Sequence, residues 1–393
     1  MGFNEDNENQ NVIEIDGQVK EKRHKRAQLA IIFAIILCLF LGGYVIYCNR
    51  YYKEYQVLAT TEKKDASTMY YMPFHGKLLK YSKDGISYLN SKGEGIWTES
   101  FTMKQPKAVV CEDYVVVADL NGNSYYLFDE KGKVGKNTTP YPICNVKVAS
   151  QGVVAVVLEE SKENYIKLYN KSGKELVDVK TSMEQSGYPL DIAVSSDGTK
   201  LVVSYVALDG TSVKNSVGFY NFSKVGQNSV DRLVGGTEFG DTIVPKVEFV
   251  NNNVVCAYGD DKLVIYNMKQ KPSERATIKV KAEINSVFSN EKYVGFVTNN
   301  TTDLEKGKYQ LYVYNLSGRK VLEKTLNIDY NTIRVTKNEI ILVGDMECYI
   351  YNFKGKERFH HKFGKNVQDM IPTENGREYM VVFEDATEYI RLK

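Results

Sequence analysis

Residues suited to chemistry are sparse in this chain. Only 4 histidines occur in 393 residues. His24 lies in a cationic N-terminal stretch and His75 opens the first repeat, while His360 and His361 are neighbours on a strand pattern, point to opposite faces and cannot easily share one metal. The 6 cysteines, Cys38, Cys48, Cys111, Cys144, Cys256 and Cys348, come one at a time. Without a short-spaced pair they suggest neither a zinc site nor a dithiol redox motif, and they read as buried thiols. Spacing leaves the disulfide state of the last four open.

No nucleophile elbow, phosphate loop or paired catalytic histidine is present, and Gly235-Gly236 is too bare to cradle a phosphate. Asp119, Asn121 and Asn123, with Glu130 at the twelfth position, superficially match a calcium loop. Glycine stands fourth rather than sixth there, so an Asn-Gly hairpin turn accounts for it better. The expectation is therefore no catalytic residue, no metal and no cofactor. Lys+Arg 51 against Asp+Glu 49 gives a formal charge of +2. Without a basic stripe interleaved with aromatics after residue 50, nucleic acid is not an expected partner. Proline (8) and tryptophan (1) are scarce beside 29 tyrosines, a strand-rich globular composition.

There is one long apolar run, residues 27–48, with no charge between Arg26 and Arg50. At ~1.5 Å per residue it matches a hydrocarbon layer of roughly 30 Å. It outlasts a signal-peptide core, has no small-x-small cleavage site, and places Cys38 mid-run after Ile36 and Leu37, unlike a lipobox. Lys20, Lys22, Arg23, Lys25 and Arg26 flank its start, so the expected topology is single-pass with a cytoplasmic N-terminus and an extracytoplasmic C-terminal domain. Tyr44, Tyr47, Tyr51 and Tyr52 fit an interfacial belt at the far end. The expected division is a disordered tail at 1–26, a transmembrane helix at 27–48, a juxtamembrane segment at 49–65 and the folded domain at 66–393.

That domain repeats one phrase: a strand ending in Tyr, Phe or Leu, then Asn or Asp, two variable residues, Gly and a charge. Copies run from Asn90 to Gly93, Asp129 to Gly132, Asn170 to Gly173, Asn315 to Gly318 and Asn352 to Gly355, with degenerate ones at Tyr220-Asn221 and Tyr266-Asn267. Intervals from Leu89 through Phe128, Tyr169, Tyr220, Tyr266 and Tyr314 to Tyr351 run from 37 to 51 residues. This period marks four-stranded propeller blades. The Asn/Asp side chain can bond its own backbone and Gly supplies positive φ, so the phrase builds the turn between third and fourth strands. Apolar runs upstream, such as Tyr114–Ala118, Lys200–Tyr205 and Glu339–Val343, suit second strands buried on both faces. The chain ends after a third strand, and Tyr55–Ala59 can return as the missing fourth, closing the ring. The fold class is all-β: an eight-bladed β-propeller, with seven blades as the alternative, preceded by one transmembrane helix.

Lys92-Gly93-Glu94-Gly95-Ile96-Trp97 resembles the quinoprotein-type propeller repeat, and Asp191–Tyr205 resembles tryptophan-aspartate repeats. The whole chain, through Gly187–Asp191, Asp231–Gly236 and Asp241–Val247, is similar to uncharacterised membrane-anchored propellers of Gram-positive bacteria. The resemblance implies fold and location and brings no activity. Trp97 stands alone where quinoprotein dehydrogenases carry Trp in most blades, so no cofactor is carried over. Asn137, Asn170, Asn221, Asn299, Asn300 and Asn315 begin glycosylation-type triplets, several within the turn phrase itself, which already explains them.

The leading expectation is a non-enzymatic module displayed outside the membrane, binding a protein or envelope polymer across one propeller face. Tyr188, Asp191, Asp231, Arg232 and Asp241 are the candidate face, because the longest repeat interval leaves room for a protruding loop there. The rival is an extracytoplasmic small-ligand binder or enzyme using the central channel. A third reading, an accessory membrane subunit, needs Gly42 and Gly43 to pack against another helix.

Overall fold

The computed structural model describes residues 28, 31–40, 42–43, 50–63, 68–182, 184, 186–301, 305 and 307–393. The described residues between 28 and 43 are helical. Among the described residues no helix is long and apolar enough to cross a membrane. The remainder of the expected span at 27–48, and the expected tail at 1–26, lie outside them.

Residues 52–393 form one compact unit of eight four-stranded antiparallel sheets. Blade one comprises Tyr70–Phe74, Lys77–Ser82, Gly85–Leu89 and Gly95–Ser100. Blades two to seven occupy 106–138, 143–182, 188–240, 246–279, 284–326 and 330–362. Blade eight takes Val367–Pro372, Glu378–Phe383 and Ala386–Leu392 from the end of the chain and Tyr55–Glu62 from its start. This is an eight-bladed propeller. The closing strand falls where the sequence indicated and runs three residues further, pairing Tyr55 with Leu392 and Glu62 with Ala386.

First strands of blades two to five meet in succession around the axis, as do those of blades six and seven and of blades eight and one. Each second strand is sandwiched between neighbouring blades: Val115, Val116, Val117 and Ala118 are fully buried although successive side chains point opposite ways. Burying one such valine contributes roughly 1.5–3 kcal/mol. The apolar core is accordingly divided into eight clusters, one per interface between blades. The cluster joining blades eight and one has 4 buried members, Leu78, Ile371, Met380 and Val382, against 9 in the next smallest. Ring closure is the thinnest seam.

The repeated phrase makes the connection between blades. In four turns the Asn side chain caps its own backbone; Asn170 Oδ1 accepts from the amides of Ser172 at 3.0 Å and Lys174 at 2.9 Å, and Asn90, Asn315 and Asn352 do likewise. The following glycine has positive φ and faces the fourth strand of the preceding blade. A Cβ on Gly318, at φ +79°, would stand 2.4 Å from the Cβ of Ala276; on Gly355 it would stand 2.6 Å from Leu322. Trp97 replaces part of this contact between blades one and two, stacking on Phe128 at 5.4 Å and donating its Nε1–H to the Glu130 carbonyl at 3.0 Å.

Blade eight lacks a covalent turn, and Tyr52 and Tyr55 take its place against blade seven. The Tyr52 amide donates to the Arg358 carbonyl at 2.7 Å, and the Lys393 amide to the Glu54 carbonyl at 2.8 Å. The Tyr52 ring lies under Arg358, whose guanidinium pairs with buried Glu339, itself held by the Tyr379 hydroxyl at 2.7 Å. Tyr55 meets His361 edge-on at 4.8 Å. Beyond blade seven the same strand reaches blade one: the Thr61 hydroxyl donates to the Lys92 carbonyl at 3.3 Å, and Lys63 lies over the Tyr71 ring.

Two predictions follow from this packing. Gly318→Ala should lose roughly 1–3 kcal/mol in urea unfolding, whereas Gly364→Ala, with open space around it, should stay within about 0.5 kcal/mol. Burial, and then the adjacent His360, hold the His361 imidazole below its ordinary value of 6.5. Its contribution to stability is therefore present above that value and lost as pH falls through the lowered one. The unfolding midpoint of the native chain should drop more from about pH 7.5 to about pH 5 than that of His361→Phe.

Candidate functional site

The strand directions give the disc two faces. Hairpins between first and second strands and turns between third and fourth form the turn face; hairpins between second and third strands and links between blades form the link face. Tyr188 begins the first strand of blade four and Asp241 begins the link to blade five, so both belong to the link face. Asp231 and Arg232 lie between the third and fourth strands of blade four, on the turn face. Asp191 is at neither face; it is buried at the axis. The five sequence candidates thus divide among three places, because blade four places its additional residues on both faces.

On the link face, the second and third strands of blade four, Lys200–Asp209 and Ser212–Asn221, have ten residues each, whereas those of the other blades have five to seven. Pairing with the first strand ends at Tyr188 with Val206, and with the fourth at Asn215 with Gly240. The hairpin tip at 207–214 therefore projects with both edges unpaired, exposing Leu208 (65%) and Val213 (39%). On the turn face, two 3-10 turns, Lys224–Asn228 and Val230–Arg232, replace the tight phrase. Asp231 and Arg232 adopt φ of 51° and 63°, in a region that L-residues seldom occupy, and Val230 is 84% exposed.

At the axis, a bulge in the first strands of blades three, four, six, seven and eight directs Asn145, Asp191, Ser286, Thr332 and Asp369 to equivalent positions. Asp191 binds three blades together. Its Oδ1 accepts from Asn145 Nδ2 of blade three at 2.9 Å and lies 3.4 Å from Lys147 Nζ, while its Oδ2 accepts from the Val247 amide of blade five at 3.0 Å. Across the ring, Arg334 of blade seven pairs with Asp369 of blade eight and reaches the Tyr71 carbonyl of blade one at 3.5 Å. Burial, then the Lys147 charge, pull Lys107 below the usual lysine range, with Asp191 opposing. These axial charges are engaged with one another.

The remaining candidates have structural partners. Asp119 Oδ1 accepts from the amides of Lys104 and Gln105, both at 2.8 Å, in the Asn-Gly hairpin that the sequence suggested. His75 approaches Asp113 at 3.2 Å, and His360 approaches Glu347 at 3.0 Å while stacking on Tyr349. Among the described residues no group of three or more His, Cys, Asp or Glu could hold a metal ion. Cys256 and Cys348 are buried free thiols, Cys111 and Cys144 half-buried ones, and burial pushes Cys111 up to about 11. A cleft between blades eight and one, lined by Tyr71, Leu78 and Tyr389, holds about 40 Å³, room for a few waters. A wide basin on the turn face spans blades one to three, with His75, Asp113, Tyr114 and Gln151 on its walls.

Residues 48–392 match the model of a family of unknown function, DUF5711, and the chain belongs to that family. No curated protein sequence matches the chain. Sqt1 of Chaetomium thermophilum, solved bound to the N-terminus of ribosomal protein L10, is similar at a TM-score of 0.56 and 12% identity over 86% of this chain and 99% of that one. BamB of Moraxella catarrhalis is similar at 0.51 and 10% identity, covering 86% and 98%. A eukaryotic initiation factor is similar at 0.56 and 11% identity, covering 84% and 87%. At such identities the likeness is one of fold.

Removing the Asp191 carboxylate would leave Lys107 and Lys147 facing each other. Asp191→Ala should lose roughly 2–4 kcal/mol near neutral pH. Because Lys107 already releases its proton below the usual range, the folded variant binds fewer protons than its unfolded chain as pH rises, and part of the loss should be recovered. Urea unfolding at about pH 7 and about pH 9.5 checks the sign.

Proposed function

We propose that this chain is a membrane-anchored, extracytoplasmic scaffold that binds a protein through the link face of its propeller. The anchor is the apolar run at 27–48, and its cationic flank from Lys20 to Arg26 orients the propeller outward. The observation carrying the binding reading is the projecting hairpin of blade four. It presents Leu208 and Val213 beyond the paired ends of the first and fourth strands, and its unpaired edges can add a strand from a partner. Ile243, 40% exposed, belongs to the same face in the neighbouring link. The Sqt1 structure, with a protein N-terminus bound, is an instance of the same fold as a receptor for a protein segment. Axial carboxylates and cations already held by one another favour a surface site over the channel.

Proximity labelling of the full chain in its native membrane tests this reading. Replacing residues 207–214 by an Asn-Gly turn preserves the pairs Tyr188 with Val206 and Asn215 with Gly240, so the thermal unfolding curve should be retained while a protein enriched by the native chain is lost. Equal enrichment by both chains, or none above an unrelated anchored protein, overturns the proposal.

A further inference from the structure

The repeated phrase determines charge as well as geometry. Every turn between third and fourth strands, from blade one to blade seven, carries at least one exposed cation; Lys131, Lys171, Lys224, Lys269, Arg319 and Lys354 represent blades two to seven. None of these six joins an ion pair among the described residues. The turns occupy equivalent positions in successive blades, so their cations form a ring around the turn face, interrupted around blades one and two by Glu94, Glu130 and the hairpin acids Glu112 and Asp113. Hairpins on the link face hold acids in five blades, Asp84, Glu160, Asp260, Asp345 and Asp385, with Lys83 and Lys162 beside the first two.

Apolar side chains are interleaved with the cationic ring. Val134, Leu176 and Val321, each 36–51% exposed, follow within three residues of a turn cation at the start of a fourth strand, and Val230 projects from the modified turn of blade four. Cations alternating with exposed aliphatic residues on one level of a disc fit the headgroup region of a bilayer, where the charges meet anionic lipid and the aliphatic residues enter the interface. An extended polymer would touch such a ring along one line, whereas a planar surface touches it all round. Tyr52, the first residue of this unit, also lies at the turn-face end of blades seven and eight.

We propose that the turn face is a docking surface for anionic lipid headgroups. The inference does not rest on the link-face partner. Residues 50–393 contain the thirty-two strands and eight inter-blade clusters found among the described residues, so this segment can be tested in solution without the preceding apolar run. It should co-sediment with vesicles containing phosphatidylglycerol, should not do so with pure phosphatidylcholine vesicles, and should be released by raised salt. Combining Lys131→Glu, Lys171→Glu and Lys269→Glu should weaken vesicle binding roughly a hundredfold, at about 1 kcal/mol for each cation near the surface. The link-face pair Lys83→Glu and Lys162→Glu should bind as the native segment does. Binding that ignores the triple substitution, equal loss in the link-face pair, no vesicle binding, or retention by soluble polyphosphate without vesicle binding would each overturn the assignment.

Discussion

A ring of blades has no end from which to absorb error, and this one depends on how each third-to-fourth turn fits the fourth strand of the blade before it. The fit needs an Asn or Asp to close the turn on itself and a residue without Cβ where the neighbour approaches, as at Gly318 over Ala276 and Gly355 over Leu322. Blade eight cannot supply such a turn, because its fourth strand comes from the other end of the chain. Tyr52 and Tyr55 fill that position instead, one buried under Arg358 and the other against His361. Closure depends on aromatic burial and a buried ion pair at one edge of the strand. At its other edge lies the thinnest hydrophobic seam in the ring.

The axis applies the same logic on the inside. Inter-blade clusters hold the sheets face to face, but near the centre the blades converge and less side-chain volume fits. Polar residues at the bulges make ties across several blades there: Asp191 joins blades three, four and five, and Arg334 with Asp369 joins seven, eight and one. Buried charges are costly unless paired, and pairing them across blades converts that cost into a constraint on blade position. Groups committed in this way hold the blades in register, so the hairpins of the link face, which take no part in the turn fit, are where sequence can vary without disturbing the ring.

Much of this architecture was legible because its cause is local. The turn phrase, the apolar second strands and the orphaned third strand at the C-terminus each follow from residues close in sequence, and together they gave the blade count and the closing strand. What was not legible depends on distance. Asn145 and Asp191 are 46 residues apart and Asp191 and Val247 are 56 apart, and nothing in either stretch signals that they meet. The candidate face failed to assemble for a related reason: a long repeat interval shows that residues are inserted, while the strand that receives them decides the face. Tyr188 and Asp241 accordingly lie opposite Asp231 and Arg232. The cationic ring was hidden differently, because one charge per turn at intervals near 40 residues never forms a stripe in a linear reading.

Blade four concentrates these departures. It is the blade whose second and third strands outgrow their neighbours, whose turn glycine is replaced by two 3-10 turns, and in which two consecutive residues take left-handed backbone angles. Strain of about 1–3 kcal/mol at a residue persists only where the surroundings over-determine it. Here the strained pair presents Val230 to solvent rather than completing the contact with blade three, which Phe222 and Val177 make instead. A single blade modified on both faces is economical for a ring, since the Asn-capped turns of blades one, three, six and seven keep the regular fit on which closure depends. Its hairpin and its turn point in opposite directions, so one modified blade can engage two different surfaces without any change in the scaffold between them.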